Sequence, residues 1–385
     1  MSAIETVAAL DPFTVIDRLS ASRDHDALVS LLAEQSSVYA GRGTGETERL
    51  RGYILASFET TGLPASALPF VIEELEIGLN PYLVAAAARA VRGAHDLPEQ
   101  IAGLLLDAIE RIRTCDDVVC FNRNADPGGP NAAFETTALM ELFRTVAWLG
   151  PAAHQAQAPL KAMLASRPAG FSTQVTAEIE AALTVVSETG TPAPTPCCAG
   201  PSAHVAFEPR PKAPMGFDIK VVQLQDQGGA MFSFADFFLG RPGVLTFFYT
   251  RCMNPNKCSL TITKLARLQR LIAAEGLQGR FNVAAVSYDP AFDLASRLRA
   301  YGQDRGMAFD DRNRLLRTTG PFEPFQRWLD LGVGFGSTTV NQHRLDVIVL
   351  DHIGNPAAMI SRQQWDEGDI FAALKMANRS GDAVR

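Results

Sequence analysis

Two patterns of apolar and polar positions divide the chain. In the first half the spacing is helical. Ala67–Ile77 is amphipathic with a period near 3.6, and Asn80-Pro81 opens a helix that runs through Leu83 to Val91. Proline is favourable in a first helical turn because its missing N–H would be unpaired there. Leu97-Pro98 opens another, with Ile101, Leu104, Leu105, Ala108, Ile109 and Ile112 on one face. The pattern then predicts helices over Thr136–Leu149, stopped by Gly150-Pro151, over Ala158–Leu164 and over Val175–Val186. Strand patterns are nearly absent. From Phe217 onward strands and helices alternate. Phe217–Leu224 alternates apolar and polar residues and reads as an early hairpin strand, while Gly243–Thr250 is a continuous apolar run suited to a buried central strand. Leu260–Ala274 follows as a helix, Phe281–Tyr288 as a second buried strand ended by Asp289-Pro290, and Ala291–Tyr301 and Phe322–Leu331 as helices. Leu345–Leu350 and Ala357–Ile360 predict a hairpin around Gly354-Asn-Pro356, and Asp369–Asn378 a closing helix.

The change of pattern falls at Glu188–Pro214, where seven prolines among small residues exclude a helix or central strand and predict an extended linker. The chain therefore reads as a helical domain over residues 1–187, a Pro-rich linker over 188–214 that holds Cys197-Cys198, and an α/β domain over 215–385. In the helical domain, Ala-rich helices ending near Val91, Val146 and Val185 each follow a shorter helix, the last two about 39 residues apart. Over residues 25–187, with an insertion at Thr114–Pro130, these pairs resemble HEAT-like repeats; an irregular helical bundle is the alternative. Stacked helix pairs offer a binding surface, so this domain is expected to hold a partner protein. The second domain has the strand–helix–strand, hairpin, helix order of a thioredoxin-like fold.

A chain of 385 residues with 47% apolar and 20% charged positions supports two globular domains. Its net charge of −7 leaves no basic surplus for neutralising phosphates, which argues against general nucleic-acid binding. The first ten residues lack a basic stretch before a long apolar core, and no apolar run reaches the roughly 20 residues of a membrane span. The expectation is a cytoplasmic protein with free thiols and no membrane partner. Six cysteines are too sparse for a disulfide scaffold and fall into three local pairs, Cys115/Cys120, Cys197/Cys198 and Cys252/Cys258.

The last pair lies where chemistry collects. Cys252 sits just past a buried strand, at the C-terminal edge of a parallel sheet, and Cys258 opens the next helix. Two thiolates there suit disulfide exchange or a soft metal such as copper; two packed free cysteines are the plain alternative. With its five-residue spacer, Thr250-Arg-Cys252-Met-Asn-Pro-Asn-Lys-Cys258 resembles the copper-binding, thioredoxin-fold Sco/SenC family, which assists cytochrome oxidase assembly. Val286-Ser-Tyr-Asp289-Pro290, a weaker Leu316-Arg-Thr-Thr-Gly320, and His343 eight residues before Asp351 and its turn Gly354 extend the resemblance over about Met215–Asn378. The resemblance implies copper held by Cys252, Cys258 and His343, and delivery of copper, or copper–thiol redox, to a partner protein. Ser259 stands where the family has proline, and the family generally lacks the helical domain.

The alternative is a thiol–disulfide oxidoreductase or redox sensor, with Cys252 attacking and Cys258 resolving. A scaffold without chemistry is a third reading. Cys197-Cys198, with His204 nearby, is either a shuttle for metal or electrons or a functionless pair. Cys115/Cys120 reads as structural. Asn122–Gly128 starts like a calcium loop, but Ala133 takes the place of the required glutamate. His25, His95 and His154 read as surface or capping residues, and His352 as a turn residue near the copper or facing solvent.

Overall fold

The computed structural model describes residues 11–123, 135–166, 171–187 and 219–382. The chain divides into two compact units, Met1–Ala199 and Gly200–Arg385. The expected linker, with Cys197, Cys198 and His204, lies outside the described residues.

Capping chemistry sets where the first helices begin. Asp11 accepts from the Thr14 N–H ahead of α1 (Pro12–Ser22), and Asp24 from Ala27 ahead of α2 (His25–Leu32). After α3 (Thr44–Thr61) and α4 (Leu68–Ile77), Asn80 accepts from Tyr82 and Leu83 to start α5 (Pro81–Val91). Then come α6 (Ile101–Ile112), α7 (Ala138–Leu149), α8 (Gln157–Ser166) and α9 (Thr173–Ser187). Strands are not absent here: β1 (Val118–Cys120) pairs antiparallel with β2 (Glu135–Thr137). That pairing takes up Thr136, so α7 starts at Ala138, with Thr137 as its cap.

Alternate helices form one row, in which α5 packs between α3 and α7, and α7 packs against α9. Small residues let the row close. Ala85 to Ala88 are fully buried in α5, and a Cβ on Gly93 would stand 1.9 Å from the Phe58 carbonyl. Charge also runs along it: Glu59 pairs with Arg89 and Arg92, these reach Glu141, and Arg144 links Glu141 to Glu178. The repeat-like reading is consistent with this row.

The second unit is a seven-stranded sheet in the order β11-β10-β5-β6-β7-β3-β4. Its parallel centre is β5 (Gly243–Phe248), β6 (Asn282–Ser287) and β7 (Asn313–Thr318). On the β5 side lie antiparallel β10 (Asp346–Leu350) and β11 (Pro356–Ser361), the expected hairpin. On the β7 side lie β3 (Gln223–Asp226) and β4 (Met231–Ser233). β5 is buried throughout because both faces are covered. Val244 and Phe248 face a core with Ile262, Leu265 and Leu268 of α11 (Leu260–Ala274) and Ile370 and Leu374 of α14 (Glu367–Asp382). Leu245 and Phe247 face an aromatic core with Phe234 and Phe238 of α10 (Phe234–Phe238) and Phe325 and Trp328 of α13 (Glu323–Leu329). α12 (Ala295–Asp304) packs on β7.

Several expectations move. The first hairpin strand is Gln223–Asp226, preceded by a 3-10 turn at Ile219–Val221, while Phe217 and Asp218 lie outside the described residues. Leu316 lies in a strand that no pattern predicted. It is the middle of β7, a strand hidden in the sequence by Arg314 and Arg317, which pair with Asp226 and Gln225. A separate hairpin, β8 (Val333–Phe335) with β9 (Val340–His343), was not expected, and it carries His343.

Candidate metal centre

The parallel strand β5 ends at Phe248, and the chain leaves it through Tyr249, Thr250 and Arg251 to reach Cys252. Buried Asp293 anchors this exit, accepting from the Thr250 N–H at 3.0 Å and from the hydroxyls of Thr250 and Ser287. Burial pushes its carboxyl above the usual range, against the pull of those donors. Arg251 pairs with Asp289 at the end of β6, so the Val-Ser-x-Asp-Pro segment serves the cysteine loop as a brace. Cys258 does not open α11 directly. It sits in a wide π-type turn, Pro255–Ser259, that precedes the helix. Ser259 makes no capping bond; its hydroxyl accepts from Arg305 at 2.9 Å instead.

Here the two cysteines meet the unexpected hairpin. His343 Nε2 lies 3.4 Å from Cys252 Sγ and 3.6 Å from Cys258 Sγ, and the three atoms all fall within 4.8 Å of one another. His343 Nδ1 is 3.2 Å from the Arg344 carbonyl, an acceptor that only an Nδ1–H can satisfy, and this bond turns Nε2 to the sulfurs. Tyr249 and Tyr288 box the ring at centroid distances of 5.4 and 5.6 Å. Cys258 and His343 are buried, so Cys252, half-buried, is the accessible member.

The two thiols differ in acidity. The Cys258 thiol donates to the Cys252 sulfur and, against the cost of burial, this bond together with His343 and the Cys258 N–H holds Cys252 well below the ordinary thiol range. Complete burial and then the adjoining Cys252 thiolate push Cys258 well above it. Burial, and next the charge of Cys252, also raise the Tyr249 phenol. Two sulfurs and one imidazole lone pair around a common point are a donor set for a soft metal ion, and the same pair is a thiolate with a neighbouring resolving thiol.

Other candidates stay apart. His352 does not join this group and is half-buried. It follows β10, whose Leu350 pairs with Gly243 at the start of β5, so it stands at the opposite edge of the sheet from Cys252. Cys115 and Cys120 are free, and the latter accepts from the Asn122 N–H at 3.5 Å. His25 is tied to the Thr61 carbonyl at 3.0 Å, and His95 and His154 are exposed. The sequence reading missed the supports of the site: Asp293, Tyr249, Arg251 and Lys257. Only Arg251 and Lys257 carried a signal, by flanking the cysteines.

This thioredoxin-like domain carries, at the C-terminal edge of its parallel strands, a dithiol with a histidine facing it, the donors that thiol or metal chemistry needs. Residues 220–329 match the model of the SCO1/SenC family, and the second unit is a Sco-family thioredoxin-fold domain. His343 lies beyond the matched residues; the fold brings it to the cysteines. Solved structures similar to this chain include a SCO1/SenC family lipoprotein from Bacillus anthracis, 22% identical, covering 43% of this chain and 98% of that one with a TM-score of 0.35. Copper-bound ScoI of Bradyrhizobium japonicum is 20% identical, covering 40% and 96% with a TM-score of 0.32. Peroxiredoxin Q of Xanthomonas campestris is 15% identical, covering 46% and 97% with a TM-score of 0.31. No curated protein matches the chain. Among the described residues, no helix is long and apolar enough to cross a membrane.

Proposed function

We propose that the second unit binds copper through Cys252, Cys258 and His343, and passes copper or electrons to a partner protein held by the helical unit. The observation that carries this reading is the convergence of two sulfurs and an imidazole nitrogen within 4.8 Å. Soft thiolates favour Cu(I), and loading expels the Cys258 proton, so uptake is tied to a proton release. Delivery is ligand exchange. A partner thiolate enters beside Cys252, the accessible sulfur, the copper shifts to it with its oxidation state unchanged, and Cys258 takes a proton back.

The asymmetry of the two thiols supports a second reading, disulfide exchange. The Cys252 thiolate attacks a partner disulfide and displaces one partner thiolate. Cys258 then loses its proton and attacks the Cys252 sulfur, releasing the second. The partner gains two electrons and the chain keeps a Cys252–Cys258 disulfide.

Titration of the reduced protein with Cu(I) and Cu(II) under anaerobic conditions separates the two. The copper reading expects one equivalent bound, with sulfur-to-copper charge-transfer absorption for Cu(II), and marked weakening in His343→Ala. Binding indifferent to His343, alongside turnover of a disulfide substrate, gives the site to the second reading.

A further inference from the structure

Two cations flank the cysteines, one residue ahead of each, and both reach the hairpin that carries the histidine. Arg251 donates from Nη2 to the Thr338 carbonyl, in the turn between β8 and β9, at 3.1 Å. The same guanidinium pairs with Asp289 and lies 4.2 Å from the centre of the Phe292 ring. Lys257 is 9% exposed, and its Nζ donates to the carbonyl of His343 itself at 3.1 Å. Lys257 is a buried member of the π-type turn Pro255–Ser259, which overlaps the end of the five-residue spacer.

These bonds fall where the fold is least self-supporting. β8 and β9 form a two-stranded hairpin outside the seven-stranded sheet, and two strands alone are marginally stable. Val333 and Val340 bury themselves in the aromatic core, which holds the hairpin to the domain. Apolar contacts of this kind are non-directional, however, and fix a ligand atom less closely than two hydrogen bonds from charged donors. One bond holds the turn of the hairpin and the other its His343 end, so together they set both its position and its tilt.

We propose that Arg251 and Lys257 are a pair of positioning residues that register the His343 hairpin against the two sulfurs and so preorganise the imidazole before a metal arrives. The inference rests on the copper reading only for its effect on copper. The positioning exists in the metal-free protein and is read there.

The test uses the full chain, reduced and metal-free, labelled with ¹⁵N-histidine. In the native sequence His343 gives one set of imidazole signals, with Nδ1 held in its bond to the Arg344 carbonyl. In the double variant Arg251→Gln, Lys257→Met the signals shift to those of an imidazole averaging over tautomers and orientations, and Lys257→Arg keeps the native pattern. Cu(II) binding by the double variant weakens about 10- to 100-fold, the usual cost of losing the support behind a metal-ligating histidine, with a changed charge-transfer band. Native imidazole signals in the folded double variant overturn the proposal. Should that variant not fold, Lys257→Gln alone, read by the same signals, decides it. If the native protein binds no copper, the copper reading fails while the imidazole signals still judge the positioning.

Discussion

At Cys252 the sulfur is half-buried and receives the Cys258 thiol proton as a hydrogen bond, with His343 adding to the pull; at Cys258 there is no solvent and the nearest charge is another sulfur. A thiol lowered in the fold is ionised wherever the pH exceeds its shifted value, so Cys252 is a thiolate through the neutral range. In the metal-free reduced protein, iodoacetamide is expected to modify Cys252 at a rate that stays nearly flat between about pH 6 and 8, where an ordinary thiol gains nearly tenfold per unit. Cys258 stays unmodified. Cys258→Ala, which removes the donor, moves the Cys252 profile to higher pH. A native rate climbing tenfold per unit would show that the proton sits on Cys252 after all.

At the scale of elements, the helical row depends on Glu141, which is 1% exposed and sits among Arg89, Arg92 and Arg144. Burial pushes its carboxyl up, but the hydrogen bond and charge of Arg92, with Arg89, outweigh this and hold it below the ordinary 4.5. A carboxyl lowered by folding contributes stability that is full above its unfolded pKa and is lost as the pH falls through its folded value. Urea unfolding of the helical unit is therefore expected to weaken on acidification below about pH 4.5, the ordinary glutamate range. Glu141→Gln flattens that dependence. Glu141→Ala, which strands partly buried guanidinium groups between α5 and α7, costs about 3 kcal/mol at pH 7. A loss within the ±0.5 kcal/mol of a surface change would remove Glu141 from this role. In the second unit the equivalent dependence falls on β5, whose exit through Thr250 is fixed by Asp293 and whose two faces bind two cores.

For the whole molecule, the copper reading places the ligand on one unit. A ligand that binds only the native state adds about 4 kcal/mol at a thousandfold excess over its Kd. Calorimetry of the full chain is expected to show the transition of the Sco-family unit rising with added Cu(I) and that of the helical unit staying in place. His343→Ala shrinks the rise, and Cys252→Ser with Cys258→Ser abolishes it. A copper-dependent shift of the helical transition would put the binding residues elsewhere.

Sequence alone determined the elements whose burial is periodic or continuous. The Leu260–Ala274 helix stands where its period put it, and β5 and β6 lie within the predicted apolar runs, because a helix stripe or a doubly covered strand writes itself into local spacing. It also placed Cys252 just past the end of a buried strand and Cys258 at the approach to the next helix. Only the tertiary structure produced β7, whose Arg314 and Arg317 are bonded by Asp226 and Gln225 of β3, and the β8–β9 hairpin, whose polar residues carry no alternation. The approach of His343 to Cys252 closes 91 residues of chain. Local periodicity cannot encode that closure; it follows from packing one hairpin against the edge of a sheet, with Arg251 and Lys257 reaching across.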